Sequence, residues 1–169
     1  FVGAFSMPQR HGLTLGELAR IYKHTYGIEC ELEVIACQGW RREEYYDETK
    51  LPWVMPSPNM PTLDTAIVYP GMCLLEGTNI SEGRGTTRPF EIFGAPYIRS
   101  EILREALASY DIQGAFLRSC MFLPTFQKYK DERCEGLQIH VTSRKDFRPY
   151  RTGLAIVHAI KKLWPKAFA

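Results

Sequence analysis

Two spacings of apolar residues organise the chain. Between residues 13 and 26, Leu18, Ile21, Tyr22 and Tyr26 recur on one face at helical spacing. Thr14 and Glu17 form a T-x-x-E capping box, in which each side chain satisfies the other's free backbone N–H, with Leu13 and Leu18 flanking it as a hydrophobic staple. Gly27 ends this helix. CELEVIAC, residues 30–37, switches to strict alternation, with Cys30, Leu32 and Val34 against Glu31 and Glu33, and reads as a strand with one wet face. FEIFG (90–94), 113–125 and 135–143 read as further strands. A helix capped by Ser100 carries Ile102, Leu103, Ala106, Leu107 and Tyr110 on one side. Pro149 opens a last helix through Leu154, Val157, Ile160 and Trp164, which Pro165 stops. Helices and strands mix without regular βαβ spacing. The expectation is therefore a single α+β domain with a mixed sheet, flanking helices and long irregular loops.

Residues 38–64 break both periods. QGWRREEYY is polar and aromatic, and Pro52, Pro56, Pro58 and Pro61 follow within ten positions. Proline fixes φ and removes a donor, so this segment is neither helix interior nor central strand. Trp53, Val54, Met55 and Met60 give it anchors, and an ordered irregular segment of this length points to function. The apolar runs TAIVY (65–69) and MCLLE (72–76) carry no clear period, and Asp64 is placed to cap a short helix there.

Composition then narrows the classes. The 169 residues are 45% hydrophobic and 24% charged, which is globular. A net charge of +2 without a dense basic run gives no footprint for nucleic acid. No apolar stretch nears the roughly 20 residues of a membrane span. The five cysteines form no CxxC and no Cys/His cluster, and no spacing calls for a metal or a cofactor. SEGRG lacks the order of a phosphate loop. The chain opens without an initiator Met or a signal pattern and reads as a fragment of a longer protein.

The candidate chemistry is densest between residues 76 and 88. Glu76, Asn79, Glu82, Arg84, Thr86 and Arg88 supply carboxylates, an amide, a hydroxyl and guanidinium forks, the groups that bind sugar hydroxyls through charge-assisted bonds. Gly77, Gly83 and Gly85 allow sharp turns or close approach to a ligand. A solvated loop of local Glu–Arg pairs has the same composition, which leaves both readings open. Arg10 and His11 precede a helix N-terminus, where anions bind and His11 can act as acid or base. The plainer reading has His11 donating to a backbone carbonyl and orienting the turn at Gly12. Asn59 is either a ligand contact or a turn residue. Trp40, Tyr45, Tyr46, Arg41 and Arg42 could face a sugar or pack on the body. His24, His140 and His158 have no partner at ligand spacing.

Taken in order, RHGLTLGELA (10–19), CQGWRR (37–42), PWVMPSPNMPTLDTAIVYPG (52–71) and LLEGTNISEGRGTTRPFEIFGAP (74–96) resemble a bacterial family of exo-acting β-N-acetylmuramidases, formerly a domain of unknown function. These glycoside hydrolases remove a terminal, non-reducing N-acetylmuramic acid from peptidoglycan fragments. The resemblance runs over essentially all 169 residues. It implies a Rossmann-like N-terminal half, absent here, and a C-terminal α+β half spanning 1–169, with the cleft between them. It also implies that the main catalytic glutamate lies in the missing half and that this half lines the cleft. Arg10 and His11 match the family's RHG, Asn59 its PSPNMPT, and Glu76, Asn79, Glu82, Arg84, Thr86 and Arg88 its glycine-rich motif. Glu76, Glu82 and His11 are then the candidate catalytic groups and the others bind substrate, with Arg84, then Arg88, on the lactyl carboxylate. The implied partners are muramic-acid glycans and the missing domain. The implied location is the periplasm or the exterior. A non-catalytic carbohydrate- or peptidoglycan-binding module is the first alternative, and a purely structural interaction domain the second.

Overall fold

In the computed structural model, which describes residues 6–8 and 11–169, both bonds of the capping box form. Glu17 N–H donates to Thr14 Oγ1 at 3.2 Å, and Thr14 N–H donates to Glu17 Oε2 at 2.8 Å. Helix α1 runs Leu15–Thr25. The Arg42 guanidinium donates to Glu17 and to the Gly12 carbonyl. The Thr14 backbone bond first, and the Arg42 bond next, hold the Glu17 carboxyl below the usual carboxylate range. A lowered folded pKa adds stability that is present above the unfolded value and lost as pH falls through the folded one. Protection of the Thr14 amide is therefore expected to fall once pH drops below about 4. Hydrogen exchange of the parent and Glu17→Gln checks this: a fall of the same size in the variant would remove Glu17 as its cause.

The chain divides into two compact units, residues 1–50 and 51–169. In the first, the strand expected at 30–37 does not form, and the backbone there is irregular. Alternation makes a strand only when a ladder partner exists, and the described residues of this unit provide none. Val34 instead packs under α1, so closely that a Cβ on Gly16 would lie 2.4 Å from its Cγ1. A 3₁₀ turn at Tyr46–Thr49 completes the unit.

The α+β architecture belongs to the second unit. Helix α2 (Leu63–Met72) passes into a 3₁₀ turn, Cys73–Gly77. Strand β1 (Ile92–Ala95), helix α3 (Ser100–Leu107), strands β2 (Ala115–Phe122) and β3 (Cys134–Val141), and helix α4 (Pro149–Leu163) follow. The sheet order is β1-β3-β2 and both pairings are antiparallel, not mixed as expected. The central β3 runs opposite to both neighbours because β2 returns into it through the short 123–133 connection. Phe93, Leu137 and Ile139 point from the sheet into a core shared with Val68 and Met72 of α2, Leu103 of α3, and Ile156 and Ile160 of α4.

Two caps differ from the sequence reading. Thr62, not Asp64, caps α2, its Oγ1 accepting from Thr65 N–H at 3.2 Å; Asp64 sits in the first turn. Ser100 is the first residue of α3, and Arg99 holds the cap position without a side-chain capping bond. The Ser100 N–H is met by Glu135 of β3 at 3.3 Å, a partner 35 residues away.

Candidate functional site

The glycine-rich stretch is not a solvated loop. Ile80, Ser81 and Glu82 are buried, as are Phe90 and Glu91 at its far end. Ser81 and Gly94 exchange both backbone bonds, at 2.8 and 3.0 Å, which ties the stretch to β1. Gly83 and Gly85 adopt φ of +78° and +82°, the left-handed region that favours glycine. A Cβ at Gly83 would lie 2.4 Å from the Ile92 carbonyl oxygen, and one at Gly85 2.7 Å from the Phe126 nitrogen. The chain is thus folded back on itself. Phe90 also takes a left-handed φ of +63° although it is a buried aromatic, a strained conformation of the kind stored at functional sites. Its ring packs edge-on to Tyr69, with centroids 4.8 Å apart, and lies 5.1 Å beneath the Arg84 guanidinium.

Charged groups converge on this turn. Glu82 is 4% exposed at its side chain and both oxygens face cations: Oε1 lies 3.0 Å from Arg84 Nε, and Oε2 3.0 Å from Lys128 Nζ. Arg84 Nη2 donates to Glu76 Oε1. Glu76 remains partly exposed and its second oxygen has no hydrogen-bond partner among the described residues. A second set adjoins through the backbone. Glu91, buried, accepts from Thr65 Oγ1 at 2.6 Å and Thr62 Oγ1 at 3.2 Å, at the N-terminus of α2, where a carboxylate is favoured. Arg88 Nη1 lies 3.5 Å from Glu91 Oε2, and the Arg88 side chain is 46% exposed.

The remaining sequence candidates make the following contacts. Thr86 closes the turn, donating to the Gly83 carbonyl at 2.6 Å and accepting from Arg88 N–H at 3.1 Å. Asn79 clips the end of the chain: Nδ2 donates to the Ala167 carbonyl at 2.7 Å, and Oδ1 accepts from Ala169 N–H and the Tyr97 hydroxyl, each at 3.0 Å. Burial above all pushes the Tyr97 phenol up to about 12. Asn59 sits in the proline-rich turn, where its N–H donates to Ser57 Oγ at 3.3 Å and its side-chain amide has no bond among the described residues. His11 belongs to the first unit and accepts at Nδ1 from Leu13 N–H at 2.9 Å, rather than donating to a carbonyl. Trp40 lies 5.2 Å from the Arg42 guanidinium, and Arg41 pairs with Glu44. Arg10 lies outside the described residues.

Sequence reasoning missed Lys128, Glu91 and Tyr129. Glu91 lies within FEIFG, a segment that reads only as a short strand. Lys128 and Tyr129, whose hydroxyl donates to the Asn79 carbonyl at 2.6 Å, left no local signal. Among the described residues no group of three or more His, Cys, Asp or Glu side chains is placed to hold a metal ion. No helix among them is long and apolar enough to cross a membrane.

The comparisons with known proteins agree with one another. The peptidoglycan β-N-acetylmuramidase NamZ of Bacillus subtilis (strain 168) is 46% identical over 168 residues, 99% of this chain and 41% of that protein. The chain thus spans about two fifths of this curated relative. A crystal structure of a DUF1343 family protein from Bacteroides fragilis superposes with a TM-score of 0.89 at 29% identity, covering 97% of this chain and 44% of that one. A second DUF1343 structure from the same organism, with a TM-score of 0.62 at 24% identity over 96% of this chain and 50% of its own, shares the fold. Residues 1–64 match the N-terminal domain described as exo-β-N-acetylmuramidase NamZ, and 67–169 match its C-terminal domain, so the boundary between the two falls within this sequence. With its α+β unit and its glycine-rich turn in that C-terminal domain, the chain belongs to the exo-β-N-acetylmuramidase NamZ family.

Proposed function

We propose that this chain is part of a peptidoglycan-processing glycoside hydrolase that removes terminal, non-reducing N-acetylmuramic acid, and that residues 76–91 recognise the sugar. The observation that carries the reading is the Glu76–Arg84–Glu82 array with Arg88 beside it, set on a buried and strained turn in a member of this family. Such an array offers a free carboxylate oxygen to sugar hydroxyls and guanidinium donors to an anion. Within it the roles divide by what is already occupied. Glu82, enclosed by two cations, positions Arg84. Glu76, with one oxygen free, reaches the ligand. Arg84 has Nε and Nη2 committed, whereas the Arg88 guanidinium has, among the described residues, one polar contact, with Glu91 at 3.5 Å. The lactyl carboxylate of N-acetylmuramic acid therefore falls to Arg88 in this reading, as a bidentate guanidinium–carboxylate pair. The remainder of the family fold supplies the main catalytic acid. His11, whose Nε2 has no hydrogen-bond partner among the described residues, is the acid–base candidate of the first unit. In this reading the protein works in the periplasm or outside the cell.

The test is release of N-acetylmuramic acid from an N-acetylmuramic acid–N-acetylglucosamine disaccharide by the complete protein. Arg88→Ala is expected to raise KM roughly tenfold or more, the loss of one charge-assisted contact, with a smaller change in kcat. A KM equal to that of the parent would remove Arg88 from the lactyl site. Disaccharide binding without any turnover would instead support the non-catalytic binding module.

A further inference from the structure

Lys128 lies in the connection between β2 and β3, 46 residues from Glu82 in sequence. Its Nζ nevertheless meets four oxygens of the 75–82 segment: the carbonyls of Leu75 at 2.8 Å, Glu76 at 3.2 Å and Ile80 at 3.0 Å, and Glu82 Oε2 at 3.0 Å. An ammonium has three N–H donors and accepts nothing, so four acceptors exhaust it. Nothing remains on Lys128 for a ligand. What it does, it does through the loop wrapped around it.

The backbone that carries Lys128 points the same way. Gln127, Tyr129 and Asp131 take φ of +66°, +58° and +59°, three left-handed residues in five positions, none of them glycine. Each is unfavourable by itself and persists only where the surroundings impose it. The contorted backbone presents two consecutive side chains to one loop: Lys128 to the oxygens above, and Tyr129 to the Asn79 carbonyl at 2.6 Å.

We propose that Lys128 is a positioning residue of the sugar site, its ammonium serving as a tethered monovalent cation around which residues 75–82 fold. The relay runs from Lys128 to Glu82, from Glu82 to Arg84 and from Arg84 to Glu76. Removing the cation takes a donor from Glu82 Oε2 and from three carbonyls, of which Leu75 alone keeps bonds from Thr78, and the loop that aims Arg84 and Glu76 loses its centre. This rests on the reading of residues 76–91 as the sugar-binding turn, but the cage itself does not.

The experiment separates the two. Amide spectra of the ligand-free protein are recorded for the parent, Lys128→Met, Lys128→Arg and Lys128→Ala, with Lys161→Met as a surface control. KM and kcat on the disaccharide follow. The Met and Arg variants are expected to shift the Ile80, Glu82 and Arg84 amides and to raise KM roughly tenfold with a smaller fall in kcat. Arg fails because its planar fork does not fit a compact cage of oxygens. In Lys128→Ala, ammonium chloride is expected to restore the shifts and KM, whereas sodium and tetramethylammonium chloride at equal ionic strength are not. Should that variant fold only with ammonium, the cage is supported directly. Loop shifts no larger than in Lys161→Met, or a rescue that sodium equals, would overturn the proposal. Loop shifts and ammonium rescue in a protein that neither binds nor cleaves the disaccharide would support the cage and overturn the muramidase reading.

Discussion

Gly71→Val is expected to lower the melting temperature by about 10 °C or more, from ~3 kcal/mol of lost stability. Gly71 lies in the last turn of α2, where that helix crosses the start of α4. A Cβ there would sit 1.8 Å from the Pro149 carbonyl oxygen and 2.3 Å from its carbon. On the other side, a Cβ at Gly153 would lie 2.3 Å from the Gly71 carbonyl oxygen. The obstruction is backbone on backbone, so no rotamer change relieves it and the helices must separate. Their separation also reaches the site, since α2 brings Thr62 and Thr65 to Glu91. Gly77→Ala is the control, because a Cβ there meets nothing within 4 Å. Thermal melts of the two variants settle the matter: equal, small shifts would mean the α2–α4 crossing is not held by glycine contact.

Glu82→Gln carries the second large effect. The amide keeps the size of the carboxylate but turns an NH₂ toward Arg84 or Lys128, so one cation faces a donor and loses its charge partner. Breaking a fully buried pair costs more than 3 kcal/mol, but both cations are about a quarter exposed, which reduces the expected loss to ~2 kcal/mol. A positioning carboxylate predicts that stability and substrate affinity fall together. A reacting carboxylate predicts a loss of several orders of magnitude in kcat at nearly unchanged stability. Chemical denaturation and steady-state kinetics on one preparation tell these apart, and the second pattern would return Glu82 to the catalytic role.

Much of this protein was legible without coordinates where the cause was local. The Thr14–Glu17 box and the Pro149 start of α4 rest on residues within one helical turn of each other, and both form as the sequence specifies. The glycine-rich motif was legible as a group because its members are contiguous in sequence. The failures share a cause of the opposite kind. The alternation at 30–37 is sound, but a strand exists only with a partner, and the first unit offers none among its described residues. The start of α3 depends on Glu135 from a distant strand, which no capping rule near Ser100 reveals.

Within the site the division is the same. The sequence by itself determined which groups gather between residues 76 and 91, since their order and glycine spacing lie in one run of chain. Only the tertiary structure decided which protein groups they meet. Lys128 arrives from the β2–β3 connection and the end of the chain arrives at Asn79. These contacts enclose Glu82 and Asn79 and leave Glu76 and Arg88 more exposed, each with one charged partner. A side chain's chemistry is set by its own atoms, but its availability is set by what packs against it, and those partners lie tens of residues away.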